Sequence, residues 1–385
     1  MKAFAVTREQ IASVAASLTV DELGSRFGRH IDTLTGASWS ADTPLFEGGA
    51  ELSPEEARAC LFRLYRFFGR EDAAASAKEA SSFGEWADGV AAAIRTRLSA
   101  FSFSAARDDE REYSHRSDTI YADAASAANL LYGRRRLLSL VAPHSLIGFT
   151  LSVLTPNLLQ APSVDVRSMA PDEMKKFLAF GDALIATPSL WRYMLAQGVF
   201  APDNAMAVFF GEPMTADLAS EIRKAGFGAQ REIYGSTEHG LIGWRDVPSD
   251  PFALFDNWRK QDAGLRRVLP SGETAEVTPM DELLWEGDRR FRLGGRRDGA
   301  VQIGGVNVFP ARIAQKIAEH PEIRRCEISV TKQQNGADRL VVTIELNSGA
   351  PPSESTARSI DSWCRAKLQP YERPRLYSYA ASAGK

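Results

Sequence analysis

The chain has 385 residues, with 46 Lys and Arg against 49 Asp and Glu, a formal net charge of −3. That balance excludes the large basic excess of a dedicated nucleic-acid binder, and no apolar run reaches the roughly 18 residues of a membrane span. The three cysteines, Cys60, Cys326 and Cys364, are too scattered to frame disulfides or space a zinc site, and no nucleophilic role is expected of them. Hydrophobic residues at 44% and charged residues at 25% predict a globular protein with a full core, built from two or three domains. The start, Met1 to Arg8, lacks a signal-peptide shape, so the expected location is the cytoplasm.

In chain order, residues 1–100 read as mainly helical. Thr7 and Gln10 form a capping-box pattern. Ser53-Pro54-Glu55-Glu56 is a second helix start, with a cap, a proline at the first position and acids facing the dipole. Its run places Cys60, Leu61, Leu64, Phe67 and Phe68 on one stripe before Gly69 stops it. A third helix is predicted over Phe83 to Leu98. From Leu137 the texture changes to buried strands alternating with helices. Strands are predicted at Leu137–Ala142, Ala205–Phe210 and Arg231–Tyr234, the last closed by Gly235. Thr215 caps a helix that Gly226 ends. This rhythm indicates a sheet layered with helices. Beyond Arg296 a compact α+β unit follows. Its strands are predicted near Val301–Ile303, Glu327–Val330, Leu340–Leu346 and Leu376–Tyr379, with helices at Pro310–Glu319 and Ser355–Leu368.

Chemistry concentrates at strand ends. Tyr234-Gly235-Ser236-Thr237-Glu238 follows a strand and is expected to open into a glycine turn at the sheet edge, where ligands bind in α/β folds. Gly235 and Ser236 allow close backbone and hydroxyl approach, Thr237 can donate to a phosphate oxygen, and Glu238 offers hard oxygens for Mg²⁺. Gly211-Glu212-Pro213 ends a strand upstream. Asp281, the run Gly295-Arg296-Arg297-Asp298-Gly299 and the segment Val301 to Pro310, which contains Gly304-Gly305, follow downstream.

In this order and spacing the set resembles the adenylate-forming superfamily, from about Phe101 to the C-terminus. The nearest type is the compact 4-coumarate–CoA ligase associated with photoactive yellow protein chromophore supply, on Phe291-Arg292-Leu293 through Gly305-Val306-Asn307-Val308-Phe309-Pro310-Ala311-Arg312. The resemblance implies an α/β fold with a large N-terminal adenylation-type domain over 1–295 and a small mobile α+β domain over 296–385. It implies that Gly211 and Glu212 border adenine, Tyr234 flanks the adenine or acyl pocket, Thr237 touches the α-phosphate and Glu238 holds Mg²⁺. Asp281 and Arg296 would meet the ribose, Asp298 would be the hinge, and Gly305 would line a pantetheine tunnel. His144 would sit by the carboxylate pocket, although a lone His beside an apolar run also has an ordinary structural reading. ATP or AMP, Mg²⁺ and CoA are the implied cofactors. A small aromatic carboxylate or its thioester is the implied partner, with a carrier protein as a further candidate acceptor.

Two places depart from that pattern. Where a glycine-rich phosphate loop ending in Lys is expected, Ser104-Ala105-Ala106-Arg107-Asp108-Asp109-Glu110-Arg111 has no glycine and three consecutive acids, with Arg111 at the Lys position. At the other end, Ser382-Ala383-Gly384-Lys385 resembles the catalytic-Lys segment, but Lys385 is the last residue and the spacing from Pro374 is short. Three activities follow as alternatives. One is ATP/Mg-dependent adenylation of a cinnamate- or benzoate-like acid with transfer to CoA or another nucleophile. Another is a repurposed fold acting on a preformed acyl thioester or adenylate without ATP. The third is a silent ligand-binding homologue.

Overall fold

The computed structural model describes residues 6–104, 112–262, 264–297, 299–303, 306–332, 338–369 and 371–380. The chain divides into two compact units, one of residues 1–278 with 285–292 and the other of 279–284 with 293–385. The predicted phosphate-loop residues 105–110 and Arg111, the hinge Asp298, Gly305 and Lys385 all lie outside the described residues.

The first unit opens with helices whose starts are set by local chemistry. The Arg8–Phe27 helix carries a reciprocal capping box between Thr7 and Gln10, and the Pro54–Phe67 helix carries one between Ser53 and Glu56. The Phe83–Thr96 helix is capped by Ser82 and ends two residues before the predicted Leu98, with Arg97 already extended. These helices share one core with a β-hairpin, β1 (Ala100–Ser104) and β2 (Glu112–Arg116), paired antiparallel from Ala100↔Arg116 to Ser104↔Glu112. Phe67, Phe101, Phe103 and Phe149 interlock there, with ring centroids 4.8 Å apart for Phe101–Phe149 and 5.2 Å for Phe67–Phe103. That aromatic cluster fixes the hairpin's base.

The sheet of this unit runs in the order β4 (Ser163–Asp165), β3 (Arg136–Ser139), β5 (Asp182–Ala186), β6 (Ala205–Phe210) and β7 (Phe227–Ser236), all parallel. It continues antiparallel through β8 (Gly240–Arg245) and β9 (Phe252–Leu254). The inner strands β5 and β6 are buried at every residue, as both-face burial in a parallel sheet requires. Two expectations change. The strand predicted to reach Ala142 ends at Ser139, because Ser139 folds its hydroxyl onto the Val141 backbone and turns the chain. The strand predicted to close at Gly235 continues to Ser236, because β8 returns antiparallel and pairs Gly235 with Leu241 and Ser236 with Gly240. A small three-stranded sheet, β10 (Trp258–Gln261), β11 (Gly264–Val268) and β12 (Thr274–Val277), completes the unit.

The hairpin of β13 (Asp281–Trp285) and β14 (Arg290–Arg296) runs through the unit boundary. Its Trp285–Arg292 end belongs to the first unit, where Arg290 and Phe291 pair with β9. The second unit also holds the short ladder β15 (Val301–Ile303) with β16 (Val306–Val308). It has a sheet of β17 (Ile323–Lys332), β18 (Asp338–Leu346) and β19 (Leu376–Tyr379), with β17–β18 antiparallel and β18–β19 parallel. The Pro310–Ala318 and Glu354–Lys367 helices pack on it through Ile313, Ile317, Ile360 and Cys364. Cys60, Cys326 and Cys364 are free thiols, and burial pushes those of Cys60 and Cys326 up to about 12, which removes nucleophilic character near neutral pH.

One buried ion pair braces the β7–β8 hairpin. Asp123, on the Ser117–Leu130 helix, is fully buried and meets Arg267 of β11 at 2.5 Å. Its carboxylate also accepts from Leu241 N at 3.0 Å and Asn257 Nδ2 at 3.2 Å. Burial drives the Asp123 carboxyl upward against these contacts. Asp123→Ala, which strands Arg267 without its partner, is expected to lower the unfolding free energy by about 3–5 kcal/mol in urea denaturation. Adding Arg267→Met should recover part of that loss.

Candidate active site

The C-terminal ends of the parallel strands form the edge at which the predicted residues collect. Ala186 of β5 pairs with Phe209 of β6, and Phe210 with Ile233 of β7. Thr187 and Gly211 therefore leave the sheet beside each other, while Tyr234, next in line, stays in β7 and pairs with Gly243 of β8. Thr187 and Thr215 cap the Pro188–Ala196 and Ala216–Lys224 helices, whose N-termini begin at this edge. Gly211 has φ 82°, the left-handed conformation a side chain would strain. Glu212 accepts a hydrogen bond from Ser189 Oγ at 2.7 Å, tying the β6 exit to the β5 exit.

Beneath this segment, Glu232 is buried and accepts from Met214 N at 3.1 Å and from Arg245 Nε at 2.6 Å. Burial raises its carboxyl while Arg245 opposes the shift. The pair clamps the Gly211–Met214 exit onto β7 and β8. Tyr234 lies on Phe252 and Phe291 at 5.7 and 5.6 Å between ring centroids, so its ring is held by the sheet's antiparallel half.

The turn Thr237–His239 links β7 to β8 and is held at its first and last carbonyls. His115 of β2 donates from Nε2 to the Thr237 carbonyl at 2.8 Å, and Arg267 donates to the His239 carbonyl at 2.7 Å. His115 thereby ties the β1–β2 hairpin to the Thr237–Glu238 turn. Ser236 Oγ and His239 Nε2, on either side of Thr237–Glu238, are buried with no hydrogen-bond partner among the described residues.

His144 leaves the same edge in the loop after β3. Its Nδ1 lies 2.7 Å from Ser17 Oγ on the Arg8–Phe27 helix. Burial, reinforced by Arg63 and Arg167 and opposed by Asp21, pushes the imidazole down to about 4. The Leu146–Gly148 turn then runs into a π-helical segment, Phe149–Leu154, buried throughout. In the second unit, Asp281 and Arg296, the first residue of β13 and the last of β14, meet at 3.9 Å, both partly buried. The structure thus groups Gly211, Glu212, Tyr234, Gly235, Ser236, Thr237 and Glu238 in the first unit. It pairs Asp281 with Arg296 in the second.

No family model matches the chain. A 4-coumarate–CoA ligase of Halorhodospira halophila is 27% identical over 377 residues, covering 95% of this chain and 94% of that enzyme. A 4-coumarate–CoA ligase of Rhodobacter capsulatus is 33% identical over 205 residues, covering 53% of this chain and half (50%) of that protein. Among solved structures, the amide bond synthetase McbA from Marinactinospora thermotolerans superposes with a TM-score of 0.57 at 16% identity, over 74% of this chain and 65% of McbA. The chain has the fold of the adenylate-forming enzymes. A malonyl-CoA ligase in ternary complex with methylmalonyl-CoA and AMP agrees, with a TM-score of 0.55 at 16% identity over 74% of this chain and 71% of that one.

The sequence reading missed Asp123, Arg267, Glu232, Arg245, Ser17 and His115 as organisers of this edge. Ser17 and Asp123 are polar residues within Ala-rich helical stretches, which is the signal available for them, while His115, Glu232, Arg245 and Arg267 sit in mixed strands that single none of them out. The depressed His144 pKa makes a signed prediction. Between about pH 6.5 and 4 the unfolded chain protonates this imidazole and the folded chain does not, so stability falls as the pH drops through that window. His144→Gln is expected to flatten the dependence of melting temperature on pH between 6.5 and 4, measured by thermal unfolding.

Proposed function

We propose that the chain is an acid–thiol ligase of the AMP-forming kind, activating a small aromatic carboxylate such as a cinnamate or benzoate and passing it to CoA. The observation that carries this reading is the strand-edge group, in which Thr187 and Gly211–Glu212 leave β5 and β6 beside two helix N-termini while Tyr234–Ser236 continue β7 next to them into the Thr237–His239 turn. The end-to-end similarity to the H. halophila 4-coumarate–CoA ligase supports it. The finer resemblance, to ligases that supply photoactive yellow protein with its chromophore, belongs to the same proposal, as does a cytoplasmic setting. Among the described residues no helix is long and apolar enough to cross a membrane.

In this reading the acid's carboxylate oxygen attacks the α-phosphorus of ATP and pyrophosphate leaves. The CoA thiolate then attacks the acyl carbon and AMP leaves. The protein's part is positioning and charge stabilisation. Gly211 and Glu212 border the base, with Glu212 held by Ser189. Thr237 offers its hydroxyl to the α-phosphate from a turn whose carbonyls are tied back by His115 and Arg267. Ser236 Oγ, otherwise unpaired, can donate to the same anion. Asp281 and Arg296 act on the ribose, Asp298 is the hinge between half-reactions, and Gly305 lines the pantetheine path.

Glu238 is the Mg²⁺ ligand of this proposal. No cluster of three or more His, Cys, Asp or Glu able to hold a metal occurs among the described residues. A single carboxylate completed by phosphate oxygens and water suits Mg²⁺ rather than a metal held by protein alone. When bound, the ion would neutralise phosphate charge. Lys385 and Arg111 are the proposed cations for the adenylate and the outer phosphates.

The test is acid-dependent exchange of pyrophosphate into ATP across a panel of aryl acids. Exchange is expected with at least one acid, and Glu238→Ala should lower it by about 10²–10³-fold. Absence of exchange with every acid, together with no ATP binding by calorimetry, overturns ATP use. One observation favours a second reading: Asp108, Asp109 and Glu110 stand where a triphosphate would need neutral or basic surroundings. That reading is a transferase using a preformed acyl thioester or adenylate, and it predicts that AMP or an acyl-CoA binds in calorimetry while ATP does not.

A further inference from the structure

We infer that the edge of the parallel sheet opposite the candidate active site is a docking surface for an anionic lipid membrane. Three large aromatic side chains stand exposed there, each in the segment that leads into a strand. Tyr132, 83% exposed, precedes β3; Phe180, 50% exposed, precedes β5; Phe200, 64% exposed, precedes β6. These strands are neighbours, with Arg136 of β3 paired to Asp182 of β5 and Ala183 of β5 to Met206 of β6. Their entries therefore lie within roughly 10 Å of one another at the usual strand spacing. Two contacts tie the entries together. Arg135 N donates to the Gly181 carbonyl at 2.8 Å, and Arg134 Nη1 donates to the Asn204 carbonyl at 2.7 Å. One exposed aromatic is ordinary, whereas three on neighbouring entries form a patch.

Cations accompany the rings. The Arg135 guanidinium lies over Phe180, 5.3 Å from the ring centroid. A Cβ placed on Gly198 would lie 3.6 Å from Lys175 Nζ and 3.9 Å from the Phe200 ring, so that ammonium and that ring border the same spot. The segments leading into β3, β5, β6 and β7 carry Arg134, Arg135, Arg136, Lys175, Lys176, Arg223 and Lys224. Of their acids, Asp182 is held by Arg136 at 2.6 Å and Asp172 by Lys175 at 2.7 Å, while Glu173 accepts from the Ala170 N–H at 3.0 Å. Asp203 and Glu221 then stand against Arg134, Arg135, Lys176, Arg223 and Lys224, which makes this edge positive on a chain of formal charge −3. Lys176, Arg223 and Lys224 end helices and answer the helix dipole. Arg134 and Arg135 lie in no helix, and the dipole gives no reason for the rings.

A lipid surface is the occupant this pattern fits. Aromatic rings settle at the boundary of headgroup and acyl chain, and the arginines and lysines beside them reach the phosphates. A folded protein would need a matching socket for each ring, whereas a fluid bilayer accepts any spacing. The candidate active site lies at the other end of the same strands, roughly 15–20 Å away. A bilayer on this edge leaves it uncovered, and the inference does not depend on the ligase reading.

The experiment is co-sedimentation of the full chain with vesicles, either of phosphatidylcholine alone or of equal parts phosphatidylcholine and phosphatidylglycerol. Binding is expected to the phosphatidylglycerol vesicles at low salt and not to phosphatidylcholine alone, and it should weaken about tenfold or more at high salt. Phe180→Ala combined with Phe200→Ala should weaken it about tenfold by removing inserted apolar area. Arg135→Gln combined with Lys176→Gln should weaken it about tenfold by removing charge. All four residues are exposed, so both variants should keep the wild-type melting temperature. Absence of binding to either vesicle at low salt, equal binding to both, or equal binding by wild type and the Phe variant overturns the inference. Capture of soluble polyglutamate without vesicle binding overturns it in favour of an acidic protein. A dimer in sedimentation velocity that the Phe variant abolishes, again without vesicle binding, overturns it in favour of a second copy of the chain.

Discussion

The Asp123–Arg267 ion pair is the constraint on which the arrangement of the strand edge depends. At 2.5 Å and almost without solvent, it sits beneath the β7–β8 hairpin and reaches into it from two sides. Asp123 takes the Leu241 N–H, and Arg267 takes the His239 carbonyl. A buried pair of this kind adds little net stability over an apolar substitute, since desolvation offsets attraction. Its value here is geometric: the turn between β7 and β8 has one place in which both charges are satisfied. The Thr237 and Glu238 side chains inherit that place.

Around this pair the other polar contacts work in the same manner. His115 brings the β1–β2 hairpin to the Thr237 carbonyl. Glu232 and Arg245 bring the Gly211–Met214 exit to β7. Ser17 brings the first helix to His144. Each contact joins separate elements of the fold. The apolar cores supply the stability, and these polar clamps choose among the packings the cores would allow.

Much of the fold was legible because its signals are local. The Thr7–Gln10 and Ser53–Glu56 capping boxes form as read, and the all-apolar run Ala205–Phe210 is a strand over those residues. Thr215 caps the helix expected of it. Misreadings fell where a partner strand or a side-chain turn intervened. Ser139 ended β3 early through its own hydroxyl, and β8 drew Gly235 and Ser236 into the sheet. The site was legible as a set of motifs but not as an arrangement. Asp123 looks like any polar residue of an Ala-rich helix, and only the fold places it 2.5 Å from a residue 144 positions away.

The sequence alone determined the alternation of strands and helices, the helix starts, and the identity of the residues at the strand ends, because caps and periodicity act within a few residues of themselves. It also determined the run of three consecutive acids, Asp108 to Glu110. Tertiary structure decided which of those residues share an edge, which carbonyls are tied back, and that His144 Nδ1 meets Ser17. These are set by contacts between separate elements, from 18 positions apart for Met214 and Glu232 to 127 for Ser17 and His144, and no local pattern encodes the partner of a buried charge.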